Sequence, residues 1–316
     1  MNYKSFIIDR NNWELEIDLV FDMKTILYDR LVSSGYKNVD FDRAIYQYFN
    51  VLKRTILKKP RKIHKSKEFF CPALYNIALE NFEKKVRMGE TLIPFLSDKL
   101  LDASYSDRML NDWNIYHFHL TNRFKDNGWA KRSDYELFAY VTDTDMYMIQ
   151  VYKHSNSMIY YQKEIVEIIY NNWPELIERF HIKGVNSLAE KYCDKQYKIL
   201  RDSNISTFIE LGDSLIFGMI GGGYMSDGSS GEAMRRSDFW HNRLRQVQTI
   251  IINNMHILSK TIKQISRNDS SKYIIKLLWI DNEKEFTFAE TSCHVIIQLN
   301  IEKGYWRVCR LIEVFG

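Results

Sequence analysis

Apolar positions change period along the chain, and the changes predict its elements. Leu15, Leu19, Phe21, Met23, Ile26 and Leu27 recur at near-helical spacing, as do Ile45, Phe49, Leu52 and Ile56, so the first hundred residues read as helical, with Pro60 ending the second helix. Two more helices are expected near Ala73–Met88 and Leu92–Leu101. The pattern then becomes period two over 115–121, 135–141 and 146–153, which predicts three strands. Thr142-Asp143-Thr144-Asp145 supplies a polar turn, so the last two strands form a hairpin. A helix over 162–170 closes this unit, with Pro174 beyond it.

The last third begins with a hairpin around 206–220 and a glycine-rich loop at 221–231. One long helix follows, in which Trp240, Leu244, Val247, Ile251, Met255, Leu258, Ile262 and Ile265 step by threes and fours. Ser229 and Glu232 stand in capping-box spacing at its start. Trp279, Phe286, Phe288, Trp306 and Val308 belong to closing strands and read as core. The expected class is α+β, in three segments. Residues 1–104 form a helical region with a basic stretch, and 105–182 a central α/β unit with a three-strand antiparallel meander. Residues 183–316 form a C-terminal α+β domain around the long helix.

Composition sets outer limits. Apolar residues at 45% and charged residues at 27% are globular proportions and exclude a disordered chain. No apolar run is long enough to span a bilayer, so no membrane partner is expected. Charges at Lys4, Asp9 and Arg10 argue against a secretory leader. Cys71, Cys193, Cys293 and Cys309 are widely separated without a CxxC pair, which points to free thiols in a reducing, cytoplasmic compartment. A net charge of +4 is too small to argue for nucleic acid by itself, so the distribution of charge must carry that case.

The segment 111–120, Asn-Asp-Trp-Asn-Ile-Tyr-His-Phe-His-Leu, holds the strongest candidate chemistry. Alternate strand residues share a face, so Ile115, His117, His119 and Thr121 lie opposite Tyr116, Phe118 and Leu120. In the third strand Tyr147, Ile149 and Val151 are expected to form the apolar face, with Gln150, Tyr152 and His154 opposite. A meander brings His117, His119 and His154 to one concave surface within reach of Arg132. Imidazoles suit phosphodiester cleavage of RNA, because histidine gives and takes protons near neutral pH. In that reading His117 and His119 are base and acid in some order. Arg132, or Lys131 beside it, stabilises phosphate charge, and His154 or Tyr152 supports, with no metal and no cofactor. Two other readings of the same residues stay open. One is a zinc site with Glu136 as activating carboxylate; the other is a pair of core histidines bonded to backbone. The acidic pairs Asp143 with Asp145 and Asp18 with Asp22 fall in a turn and on a helix surface and are not expected to bind metal.

Three further features carry weaker signals. Gly221, Gly222 and Gly223 join a strand to a helix, and with Arg235 and Arg236 they form a candidate phosphate site, against the plainer reading of a capped hairpin-to-helix connection. The basic stretch 53–67, with Lys58, Lys59, Arg61, Lys62 and Lys65, together with Lys131, is a candidate nucleic-acid surface for RNA more than DNA, against the reading of a solvated loop. The narrow stripe over helix 233–265 admits a homodimer seam.

The order of helices, meander, basic loop and His/Arg/Tyr placement over about 73–175 resembles the small mRNA-cleaving toxins of bacterial toxin–antitoxin systems. Asn-Asp-Trp-x-Ile-x-His-x-His-Leu with Lys131-Arg132-Ser133 and Leu137-Phe138 also resembles uncharacterised bacterial proteins of mobile elements and defence islands. These resemblances imply an endoribonuclease toxin or phage-defence effector with an antitoxin or other defence protein as partner. The alternatives are a non-catalytic sensor or adaptor that binds a nucleotide or partner through the glycine loop and long helix, and a structural protein of a mobile element.

Overall fold

The computed structural model describes residues 6–10, 13–155, 157–185, 187–212 and 214–310, with side chains from Trp13 onward. The elements run β1 (Phe6–Arg10), β2 (Trp13–Ile17), α1 (Leu19–Ser33), α2 (Ala44–Arg54), β3 (Lys62–Lys65), α3 (Asn76–Met88), α4 (Arg108–Trp113), β4 (Ile115–His119), β5 (Tyr135–Val141) and β6 (Asp145–Lys153). They continue with α5 (Glu164–Asn172), α6 (Asp194–Asp202), β7 (Phe208–Leu211), β8 (Leu215–Gly218), α7 (Gly231–Ser266), β9 (Lys272–Asp281), β10 (Glu285–Glu290), β11 (Val295–Asn300) and β12 (Tyr305–Arg310). The class is α+β. No helix among the described residues is long and apolar enough to cross a membrane.

Contacts divide the chain into two units. One comprises 1–34, 40–45 and 237–316; the other comprises 35–39 and 46–236. The boundaries expected near 104 and 182 do not coincide with this division. The reason is a parallel pairing of β2 with β9, Glu14 opposite Lys272, which joins the two ends of the chain and leaves no local trace in sequence.

The terminal unit is a six-stranded sheet in the order β1-β2-β9-β10-β11-β12. Its opening corrects the all-helical expectation for the N-terminus. Trp13, Leu15 and Ile17 alternate as a strand, and the helical period begins only at Leu19. Asp18 marks the junction by accepting a hydrogen bond from the Phe21 N–H at 2.9 Å, as an N-cap does. The α7 stripe is consumed within the chain. Leu244, Val247, Ile251, Met255 and Ile262 are sealed from solvent, and Trp240 meets Phe286 edge to face with 6.5 Å between ring centroids. The face proposed as a homodimer seam therefore builds this unit's own core.

Asp22, expected on a helix surface, is instead buried under β9. It accepts from the Leu277 N–H at 2.9 Å. Burial, opposed by that hydrogen bond and by Lys276, raises its pKa from 3.8 to about 6. The folded state thus holds the Asp22 proton more tightly than the unfolded chain. Its stabilising contribution is present below about pH 4 and is lost as pH rises through 6. Asp22→Asn is expected to leave stability nearly unchanged at pH 4 and to raise it at pH 7, by up to about 3 kcal/mol. Thermal melts of both proteins at the two pH values check this; an equal shift at both would reject the buried-charge account.

The other unit is built on a four-stranded sheet, β3-β6-β5-β4, with β3 parallel to β6 and the rest antiparallel. The expected meander is present. Strand β3 was expected to be basic loop; Ile63 and His64 pair with the β6 edge instead. The helix expected over 92–101 is two short 3-10 turns, 93–95 and 98–101, the first carrying Pro94. Both sheet faces are covered. Phe118, Leu120, Leu137, Ala139 and Met148 pack with Phe82 and Val86 of α3 on one side. Ile115, Phe138, Tyr140 and Ile149 pack with Ile165 and Ile169 of α5 on the other. Truncating a sealed phenylalanine such as Phe118 or Phe138 in such a core costs about 3–5 kcal/mol.

A bulge interrupts β6. Phe138 pairs with Gln150 but the next residue, Ala139, pairs with Met148, leaving Ile149 as the extra residue. This corrects the expected face of the third strand. Tyr147, Ile149 and Tyr152 pack in one core, whereas Val151 packs in the other. A bulge shifts the side-chain alternation by one. Without it, Tyr152 and His154 would sit on the face of Met146 and Met148, across the sheet from His117 and His119.

Candidate functional site

The two covered faces leave the edge of the sheet open at one end of the meander. At the end of the β4–β5–β6 meander, a cleft of about 680 Å³ is lined by His117, His119, Arg132, Glu136, His154 and Tyr160, with Trp129, Lys125, Arg108 and Arg201 around them. The expected three histidines and Arg132 therefore share one hollow. Register explains how: His119 is directly opposite Glu136, which is opposite Tyr152, and the Asp134 carbonyl accepts from the His154 N–H at 2.7 Å.

Glu136 organises this hollow. Its carboxylate is 2% exposed, and Oε1 lies 3.2 Å from both His119 Nδ1 and His154 Nε2. The other oxygen accepts from the Tyr160 hydroxyl at 2.5 Å. Such burial is tolerable for a carboxylate only where neighbours satisfy its oxygens. His154 Nε2 also lies 3.2 Å from the Arg132 guanidinium. It accepts from Arg132 in one tautomer or donates to Glu136 in the other, so proton position and side-chain pairing are linked here. His119 is buried, and this desolvation lowers its pKa; Glu136 opposes the shift, while His117, His154 and Arg132 add to it. Neutral imidazole is thus its favoured form. His117 stands beside the Tyr160 ring at 5.4 Å, and its Nδ1 is buried without a hydrogen-bond partner.

A buried ion pair adjoins the cleft. Arg201, 2% exposed, reaches Asp112 at 2.7 and 2.9 Å and lies over the Trp113 ring at 4.2 Å. Burial raises the pKa of Asp112 and Arg201 pulls it back down. Arg201 also donates to the Tyr160 carbonyl, which ties the ion pair to the hollow's tyrosine. Tyr160, Arg201 and the organising role of Glu136 are absent from the sequence reading. Tyr160 and Arg201 sit in segments with no motif, and only the pairing register places Glu136 beside both imidazoles.

Tyr152 is a correction. It does not line the cleft; its ring meets Phe138 edge-on at 5.3 Å and packs in the core. No group of three or more His, Cys, Asp and Glu side chains among the described residues is arranged to hold a metal ion. Comparison with protein-family models, curated proteins and solved structures gives no match.

The glycine loop does not offer a phosphate its backbone. The Gly221 and Gly223 N–H groups donate to the Asp112 and Asn111 carbonyls at 2.8 Å each, and Gly222 donates to Met219 at 2.8 Å. A Cβ at Gly221 would stand 2.3 Å from the Leu110 carbonyl oxygen, so glycine is needed for the close approach to α4. Arg235 donates to the Gly222 carbonyl, and Arg236 lies over Phe49. The helix cap is Ser230, one residue beyond the expected Ser229, and Glu232 turns to Lys53 at 3.4 Å.

The basic stretch is largely paired. Arg61 is buried and donates to the Thr142, Leu57 and Lys59 carbonyls. Lys59 meets Asp143 at 3.0 Å, Lys65 meets Glu83 at 2.6 Å, and His64 meets Asp145 at 2.8 Å. Lys58 and Lys62 are exposed, as is Lys131 on the loop that enters β5. Within 58–65 the cations thus serve mainly to bind this stretch to its neighbours.

Proposed function

We propose that this protein is a metal-independent endoribonuclease-like enzyme, acting as a toxin or phage-defence effector on RNA. The observation that carries the reading is the convergence of His117, His119, His154 and Arg132 on one open cleft, with buried Glu136 behind two of the imidazoles.

Glu136 sets its carboxylate 3.2 Å from His119 Nδ1 without a formed hydrogen bond; closing that contact in the substrate complex leaves Nε2 as the base, the arrangement by which a carboxylate orients a catalytic imidazole. A ribose 2′-OH attacks the adjacent phosphorus and its proton passes to His119 Nε2. His117 delivers a proton to the departing 5′-oxygen. Arg132 pairs with the phosphate oxygens as charge builds on them, and His154 supports Arg132. The products are a 2′,3′-cyclic phosphate and a 5′-hydroxyl end. Exposed Lys58, Lys62 and Lys131 are the remaining candidates for backbone contacts outside the cleft. The sensor or adaptor alternative loses support from the glycine loop and the long helix, since both are engaged within the chain.

Purified protein incubated with total RNA and with chelator is expected to cut it and to leave cyclic phosphate ends. RNA left intact under these conditions, or ends carrying a 3′-hydroxyl, would overturn the proposed chemistry.

A further inference from the structure

Trp129 is an aromatic residue of the cleft that the proposed chemistry does not use. Trp129 lies on the loop between β4 and β5, half-buried, facing the same hollow as the histidines. Among the described residues it has no ring or cation partner, unlike Tyr105, which lies between Arg54 at 5.5 Å and Lys99 at 5.7 Å.

Its loop is held firmly. The Lys125 N–H donates to the Trp129 carbonyl at 2.7 Å, the Ala130 N–H to Pro94 at 2.9 Å, and the Lys131 N–H to Arg123 at 2.8 Å. Asp98 pairs with Lys125 at 3.0 Å, and this contact holds the Asp98 carboxyl below its usual range. Ala130, next in sequence, is buried in the α3-side core. An indole carried on a backbone held in this way needs to order only its own two side-chain torsions to stack on a planar ligand, a small loss of conformational entropy.

We infer that Trp129 is the stacking platform for a base of single-stranded RNA, and that the cleft rejects duplex. The inference rests on the ribonuclease reading for one step. In-line attack by a 2′-OH requires the nucleotide to leave helical stacking, because a stacked A-form backbone holds the 2′-oxygen out of line with the leaving oxygen. The unstacked base needs a new apolar partner, and single-stranded RNA is commonly read by stacking on aromatic rings. A volume of about 680 Å³ is within the range of about 300–1,000 Å³ for ligand pockets and accommodates a splayed nucleotide. Side-chain exposure of only 10% leaves His119 little surface for the phosphates of an intact duplex to meet.

The test separates binding from cleavage. Fluorescence anisotropy is measured with a labelled single strand made wholly of 2′-O-methyl RNA, which has no attacking hydroxyl, and with the same strand annealed to its complement. Wild-type protein is expected to bind the single strand and to bind the duplex at least tenfold more weakly. Trp129→Ala is expected to weaken single-strand binding on the order of ten- to a hundredfold, while Trp129→Phe keeps most of it and controls for folding. Equal binding of the two substrates, or unchanged binding by Trp129→Ala, would overturn the inference even if total RNA is cut. Trp129-dependent binding without any cleavage would preserve the platform and remove the enzyme.

Discussion

His119→Ala is expected to lower RNA cleavage by about 10²–10⁴-fold, the usual contribution of one positioned acid or base. Folding should be little affected, because the lost ring faces a cleft and Glu136 keeps the Tyr160 hydroxyl and His154. His117→Ala should show a loss of similar size if it protects no other group; its Nδ1 has no partner to strand. The pH profile gives a second readout. Burial lowers the His119 pKa, so the base form persists into more acidic solution than an ordinary histidine allows, and the acidic limb of kcat/KM should lie low. The Glu136 charge works against that shift. Glu136→Gln is therefore expected to move the limb further toward acid while reducing the rate, because the imidazole loses its orienting partner. Cleavage at the wild-type rate by His119→Ala would remove the central role assigned to it.

Arg201→Met is expected to cost about 3–5 kcal/mol, the penalty for leaving a buried charge without its partner. For a unit of this size that is on the order of a 10 °C fall in Tm. Asp112 would remain buried, with its only nearby cation gone among the groups that set its pKa. Two further measurements tie the loss to charge and not to lost packing over Trp113. Asp112→Asn in the Arg201→Met background should restore much of the stability. The single variant should also recover as pH falls, since protonation removes the uncompensated carboxylate: burial already raises the Asp112 pKa, and losing Arg201 raises it further. A deficit that is flat with pH and untouched by the second substitution would indicate packing alone.

These two residues mark the limits of reading from sequence. His117 and His119 were visible because strand alternation is local: residues two apart share a face whatever surrounds them. The α7 stripe was visible for the same reason, since its spacing reports one buried side of a helix. The stripe could not say what buries it; the terminal sheet does, and the seam left for a second copy is filled. Arg201 lies in a short helix with no motif, and its partner Asp112 is 89 positions away.

The basic stretch and glycine loop show the converse limit. Composition made both look like ligand-binding surfaces. Arg61 and the Gly221 N–H are bound instead to backbone carbonyls that only the folded chain supplies. A charged side chain or free N–H in sequence is a capacity for pairing, and tertiary contact decides whether solvent, ligand or the protein itself meets it.

What the amino-acid order determined by itself was periodic: the apolar stripe of α7, the strand alternation of the β4–β5–β6 meander up to its bulge, and that two histidines project together from one strand. What only the tertiary structure decided was pairing. The β2–β9 ladder made one unit of the two chain ends, and the extra residue Ile149 turned His154 to the same side as His117 and His119. The physical reason is range. Backbone periodicity follows from neighbours in sequence, whereas strand register, bulge position and buried ion pairs minimise free energy over contacts between residues far apart in the chain.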